Sequence, residues 1–275
     1  MHHSKILNLA YLECNRSAKM SVTLQITKSN VAVLVLSRPE KRNAFNSEVI
    51  HELIQCIEHA NTLDIKALVL KTEGKHFSAG ADLAWMKSMA DNNYADNLAD
   101  SMQLAELMQV LATSPHPTVC AVQGAAFGGA LGLIACCDIA LCKDDAQFCL
   151  SEVKLGLIPA VISPYVIKAI GERAARRYFL TAEVFDAHTA KQLGLVHQVT
   201  GNLDCALDNM LQTLINNSPV AVKAAKALIN DVANKPISEQ LIELTAERIA
   251  KIRVSDEGQE GLSAFFDKRP PAWQL

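Results

Sequence analysis

The 275-residue chain has no apolar run approaching the ~18 residues that a membrane-spanning helix needs. Nor has it an excess of either charge. Its 26 Lys and Arg stand against 29 Asp and Glu, with no obvious basic stripe, which argues against a nucleic-acid or membrane-surface partner. There is no Cys-x-x-Cys pair. Cys14, Cys56, Cys120, Cys136, Cys137, Cys142, Cys149 and Cys205 lie mostly within apolar runs and read as buried free thiols in a reducing, cytoplasmic setting. Cys142 and Cys149 are too far from paired His or Cys to suggest zinc. Residues 1–19 lack the apolar core and small-residue cleavage site of a secretory signal. They are expected to be a loose extension, or an upstream start before a beginning at Met20.

What the chain does have is concentrated between Val122 and Glu152. Four of its twelve glycines, Gly124, Gly128, Gly129 and Gly132, follow the β-type run Thr118 to Val122 and precede an apolar helical run. A strand that ends in a glycine turn and feeds a helix presents free N–H groups and the positive end of a helix dipole, both suited to developing negative charge. Two familiar phosphate loops fail on spacing: Ala130 and Leu131 follow Gly129 where a P-loop needs Lys and Ser or Thr, and no GxGxxG fits. The stretch reads as a small-molecule oxyanion site, against the plainer reading of a helix packed closely on a strand.

Taken in order, Val22 to Thr27 and Val31 to Leu36 predict a hairpin, and Ser47 is placed to cap a helix through Ala60. Between them Arg38, Lys41 and Arg42 stand together, either in a solvated loop or at a phosphate. Lys66 to Lys71 predicts a buried strand. After it comes a second small-residue loop, Gly74 to Asp82, whose Asp82 suits the cap of a helix over Leu83 to Met89. A helix follows over Ala95 to Ala112, ended by Ser114-Pro115-His116-Pro117, in which His116 reads as a turn residue. Short strands are expected at Asp138 to Cys142, Gln147 to Leu150 and Leu195 to Val199. Helices are expected at Val161 to Ile170, Glu172 to Leu180, Ala206 to Ile215, Pro219 to Val232, Ser238 to Ile252 and Asp256 to Phe266. Glu152 stands among Cys149, Leu150, Val153, Leu155 and Leu157, where desolvation would raise its pKa towards values useful for proton transfer. A cap or salt bridge is the alternative for it.

The segments RPEKRNAFN, HFSAGADLAWM, VQGAAFGGALGL, CDIA, AQFCLSEVKLGLIP and GLSAFFDKR, in this order, resemble the crotonase (enoyl-CoA hydratase/isomerase) superfamily from about Val22 to the C-terminus. HFSAGADLAWM, with the segment from Ser151 to Glu183, is similar to the bacterial methylglutaconyl-CoA and isohexenylglutaconyl-CoA hydratases. The resemblance implies an α/β fold, a superhelix of ββα turns over residues 20–200, with a helical trimerisation region over 201–275 that packs into a trimer or dimer of trimers. It implies that the thioester oxygen of an acyl-CoA sits between the backbone N–H groups of Ala81 and Gly129. It also implies coenzyme A contacts at Lys41, Arg42, Ala44, Ser78, Ala79, Gly80, Asp82, Leu83, Gly128 and Lys268. Trp85 and Met86 are candidates for the acyl pocket. No metal, flavin or nicotinamide is implied; coenzyme A arrives as part of the substrate.

The chain departs from that family at one place. Typical hydratases carry two glutamates, and the matching positions here are Gly132 and Glu152. With one carboxylate, Glu152 must both activate water and return a proton in a syn hydration. Alternatively, it moves a proton between Cα and Cγ as an isomerase. A third reading is an acyl-CoA- or RNA-binding relative with little turnover, against which the mildly acidic composition and the retained Glu152 both speak.

Overall fold

The computed structural model describes residues 20–274, so the expected N-terminal extension lies outside the described residues. The elements run β1 (Val22–Ile26), β2 (Val31–Leu36), α1 (Ser47–Thr62), β3 (Ala67–Thr72), α2 (Leu83–Ala90), α3 (Tyr94–Ala112), β4 (Thr118–Val122), β5 (Ala125–Phe127) and α4 (Gly129–Cys136). They continue with β6 (Ile139–Lys143), β7 (Gln147–Cys149), α5 (Ser163–Thr181), β8 (Phe185–Asp186), α6 (Ala187–Leu193) and β9 (Gln198–Thr200). Four helices finish the chain, α7 (Leu203–Ile215), α8 (Pro219–Val232), α9 (Glu239–Arg253) and α10 (Asp256–Phe266).

Six strands form the main sheet in the order β1-β2-β3-β4-β6-β9. Only the β1–β2 hairpin is antiparallel; every other neighbour is parallel. Both faces are covered, which is why these strands read as continuous apolar runs. Alternation still sorts them: Ala32, Leu34, Leu68, Leu70, Cys120 and Val122 face a large core with α1, α3, α4 and α5. Val31, Val33, Val69, Val119 and Leu141 face a smaller one closed by Ala206, Leu207 and Leu211 of α7. The first C-terminal helix therefore completes the sheet's second face.

A second, narrower ladder runs beside this sheet. Phe45 bridges Ala81, Ser78 bridges Ala126, β5 pairs with β7, and β7 pairs with β8. Successive turns of the chain thus give a long strand to one sheet, a short strand to the other and then a helix, the ββα spiral of an α/β superhelix.

Several local expectations are corrected. The α1 cap is Asn46, whose Oδ1 accepts the Val49 N–H at 3.0 Å, rather than Ser47. The two helices expected across 161–180 are present as the two halves of α5, separated at Gly171, where φ is 76° and ψ 157°; the first begins at Ser163 rather than Val161. The last strand is Gln198–Thr200, while Leu195 and Val196 are buried side chains of the large core. The short elements β5, β8 and α6 were not expected. His116 is buried, which lowers its pKa, and its carbonyl accepts from Lys226 Nζ at 2.8 Å. Lys226, the one buried residue of α8, also pairs with Asp138 at 2.7 Å and pins that helix to the core. Among the described residues, no helix is long and apolar enough to cross a membrane.

Candidate active site

Two glycine loops and one carboxylate meet where the narrow ladder crosses the ends of the main sheet. At the end of the first loop, from Ser78 to Asp82, nearly every amide is already taken. Ser78 N–H donates to Ala125 O at 3.0 Å, Ala79 N–H to Arg42 O at 2.9 Å, and Asp82 N–H to Phe45 O at 2.7 Å. Gly80 N–H donates to its neighbour Ser78 Oγ at 3.1 Å. Among the described residues Ala81 N–H alone in this run has no acceptor. The bridge to Phe45 explains this, because a parallel strand bonds through the residues flanking the bridged one.

The second loop leaves β5 and turns sharply into α4. Gly128 makes the turn at φ 56° and ψ −126°, a conformation that side chains with a Cβ rarely adopt, and its own N–H is held by Cys149 O at 2.8 Å. Gly129 is then the first residue of α4, so its N–H has no partner inside the helix and lies at the positive end of the dipole. The loops are stitched together: Phe127 N–H donates to Ser78 O at 2.9 Å, and a Cβ at Gly80 would stand 2.8 Å from Phe127 O. Phe45 links them again, its backbone on the first loop and its ring 3.3 Å from where a Gly129 Cβ would be.

Glu152 arrives by the same ladder. Strand β7 lies beside β5, and the chain leaving it makes a short 3-10 turn, Glu152–Leu155. This carries Oε1 to within 3.3 Å of a Cβ built at Gly128. Oε2 is buried without a hydrogen-bond partner, and no cation among the described residues forms an ion pair with this carboxyl. Burial pushes its pKa up. The apolar neighbourhood is not the one read from sequence: Leu155 and Leu157 point outward, and Cys149 and Leu150 are the buried flank.

Asp82 is the opposite case. Lys41, bonded to it at 2.9 Å, holds this buried carboxyl below the usual range, although burial opposes the shift. Its Oδ1 accepts Ala84 N–H at 2.9 Å and caps α2 as expected. Of the three cations in the 38–42 loop, Arg38 turns inward, Lys41 is half exposed, and Arg42 is exposed with a left-handed backbone.

The remaining residues expected to contact coenzyme A divide by exposure. Ser78, Gly80, Ala44 and Gly128 are buried, so each offers mainly backbone to a ligand; Ala79 and Leu83 are exposed at the loop's rim. Lys268 lies exposed just past α10, tied to the rest of the site by no hydrogen bond or ion pair among the described residues. Trp85, a candidate from sequence for the acyl pocket, lines a cleft of about 260 Å³ with Lys41, Asn46, Ser47 and Asp82.

Gly132, one turn along α4 from Gly129, is buried against two large side chains. A Cβ there would stand 2.3 Å from Ile162 Cγ2 and 2.9 Å from Met108 Sδ. Ile162 and Met108 are themselves buried, so no side chain fits at position 132 without displacing them. Sequence reasoning missed both residues, and Asn43 and Phe45 as well; it singled out Arg38, but for a solvated loop or a phosphate rather than for burial against Asp82. A buried polar cluster bracketing a glycine loop is a contact pattern that a linear reading does not reveal.

Comparison with known proteins gives a consistent set of matches. A profile of the enoyl-CoA hydratase/isomerase family matches residues 26–275. A putative enoyl-CoA hydratase of Thermus thermophilus is 34% identical over 251 residues, covering 90% of this chain and 99% of the relative. The 2,3-dehydroadipyl-CoA hydratase of Escherichia coli is 30% identical, covering 92% of this chain and 98% of that one. Among solved structures, an enoyl-CoA hydratase from Shewanella pealeana is 50% identical with a TM-score of 0.89, covering 92% of this chain and 96% of that one.

Proposed function

The chain belongs to the enoyl-CoA hydratase/isomerase family, and from that premise we propose that it adds water across the 2,3 double bond of a branched, carboxylated enoyl-CoA such as 3-methylglutaconyl-CoA. The thioester oxygen accepts from Ala81 and Gly129, whose N–H groups have no acceptor among the described residues. Charge that develops on that oxygen in the enolate is met by fixed donors and by the N-terminus of α4, with no reorganisation needed at the moment of reaction. Glu152 takes a proton from water as it attacks Cβ, and returns one to Cα on the same face. The observation that carries this reading is the buried, partnerless Oε2 of Glu152 beside the Gly128 turn. A carboxyl so placed has nothing to pair with except substrate or water.

Support for a diacid acyl group comes from the 2,3-dehydroadipyl-CoA relative, whose named substrate is itself a dicarboxylic thioester, and from the sequence similarity around Ser151 to Glu183. A second reading, enoyl-CoA isomerisation, is favoured by one observation. With position 132 filled by Ile162 and Met108, a single carboxyl serves the site, and a proton shift between Cα and Cγ needs no more.

A spectrophotometric assay of the conjugated thioester separates the two, offering 3-methylglutaconyl-CoA, crotonyl-CoA and a 3-enoyl-CoA. Loss of absorbance with the branched diacid is expected. A rise with the 3-enoyl substrate, without loss for the others, would make the enzyme an isomerase.

Coenzyme A, brought in with the acyl group, would lie along Ala79, Leu83, Lys41 and Arg42, with Lys268 towards a phosphate. We also propose a homotrimer or dimer of trimers. The C-terminal region exposes the large apolar side chains of Ile237, Ile242, Ile249, Val254, Phe265 and Phe266, which neighbouring chains would cover. Light scattering is expected to give three or six chains per particle, and a monomer would remove the proposal.

A further inference from the structure

Arg38 is buried, with 9% of its surface exposed, and is not among the residues proposed to touch substrate. A guanidinium is costly to bury unless its donors are used. Here Nη1 donates to Ala44 O at 2.7 Å and Nη2 to Asp82 Oδ2 at 3.3 Å. Arg38 N–H donates to Asn43 Oδ1 at 2.8 Å, and Asn43 N–H returns to Arg38 O at 2.9 Å.

Asn43, fully buried, carries the connection onward. Its Nδ2 donates to Glu73 O at 2.7 Å and His76 O at 2.8 Å, while its carbonyl accepts Ser78 Oγ–H at 2.8 Å. Ser78 Oγ in turn accepts Gly80 N–H. The path from Arg38 through Asn43, Ser78 and Gly80 therefore closes on itself through Asp82 and back to Arg38. Ala81 is the residue it encloses. Gly80 and Asp82 are each held by one arm of the ring, and the Ala81 peptide is fixed between them: its carbonyl, Gly80 O, accepts Phe45 N–H at 2.8 Å, and that N–H shares a peptide plane with Ala44 O, the acceptor of Arg38 Nη1. Two cations against one carboxylate also leave the cluster positive beside that peptide.

We infer that Arg38 is a positioning residue for catalysis: through Asp82 and Asn43 it sets the direction of the Ala81 N–H that receives the thioester oxygen. This rests on the reading of Ala81 as an oxyanion donor. Lys41 cannot replace Arg38, because its half-exposed ammonium reaches Asp82 from outside and makes no bond to the 43–45 backbone.

The test compares the full-length wild type with Arg38→Met and Arg38→Lys. The probe is a para-dialkylaminocinnamoyl-CoA, whose absorption moves to longer wavelength when its carbonyl is polarised. Wild type is expected to shift the probe. Arg38→Met should bind it but lose most of the shift, and kcat with enoyl-CoA should fall on the order of 10²-fold, as expected for small misplacement of a catalytic group, with KM little changed. Arg38→Lys should recover part of both.

A full shift in Arg38→Met would overturn the inference, whatever happens to kcat, since the residue would then be merely structural. Should Arg38→Met fail to fold, Asp82→Asn breaks the ring while keeping an acceptor for Ala84 N–H, and retention of the shift there would overturn it equally. No shift in the wild type would instead remove Ala81 as the donor, a failure of the functional reading that the variants alone could not mimic.

Discussion

Glu152→Gln is expected to lower turnover by about 10⁴-fold, the upper end of what one general acid–base group contributes, because a single carboxyl here is assigned both proton transfers. The amide keeps the size and polarity of the side chain but can neither take a proton from water nor return one to Cα. Measured as kcat on the preferred enoyl-CoA, activity close to that of the wild type would mean that another group moves the proton. The pH profile gives an independent check. Burial raises the Glu152 pKa above 4.5, so the active carboxylate is lost as pH falls through that raised value. The acid limb of kcat/KM should therefore have its midpoint above the ordinary glutamate range, and Glu152→Gln should have no such limb.

The same shift has a consequence for stability, with the sign reversed. Between the ordinary and the raised pKa, the folded protein binds more protons than the unfolded chain. Stability therefore falls as pH rises through that window, and above it the native state carries a constant penalty for keeping a charge out of water. Glu152→Gln carries no such charge. Its midpoint of thermal unfolding should exceed the wild type's at neutral pH and approach it below the window. An inactive variant that is more stable is what a working carboxylate in a desolvated site predicts.

Much of this was legible in the sequence, for reasons that can be traced to particular residues. The long strands β2 and β4 stand out as continuous apolar runs of five or more residues, the helices α1 and α8 show their period, and Asp82 announces the cap of α2. Strands β5 and β8, three and two residues long, are too short to show alternation. They matter because they form the ladder that carries Glu152 to Gly128. Gly171 separates two helices, as its position suggested. At the site, the glycine loops and Glu152 were identifiable because glycine spacing and an isolated carboxylate are local features. Arg38 was visible only as one of three clustered cations, since its burial depends on Asp82, 44 residues further along the chain. Ser78 and Asn43 look like ordinary loop residues until the fold brings them together.

Gly132 is where sequence and structure bear on each other most directly. The sequence poses it as a missing carboxylate and leaves open whether restoring one would help. Gly132→Glu is expected to fail. Even the first atom of the new side chain would stand 2.3 Å from Ile162 Cγ2 and 2.8 Å from Ile162 Cβ. Overpacking of this kind costs about 1–3 kcal/mol in a well-packed core, and a buried carboxylate facing a methyl and a thioether adds the penalty of an unpaired charge. Gly132→Ala, which takes only the first step, should lose about 1–3 kcal/mol in urea unfolding and gain no activity on crotonyl-CoA. Gly132→Glu should lose more, or not accumulate as folded protein. Relief has to come from the other wall: Ile162→Ala in the same chain would open the space, and the two substitutions should be markedly non-additive because they share one contact. If Gly132→Glu instead folds like the wild type and hydrates crotonyl-CoA faster, Ile162 yields easily and the absent carboxylate alone limits the enzyme. If it does not, the site was rebuilt in apolar side chains around a single glutamate, and its chemistry has to be explained with that one group.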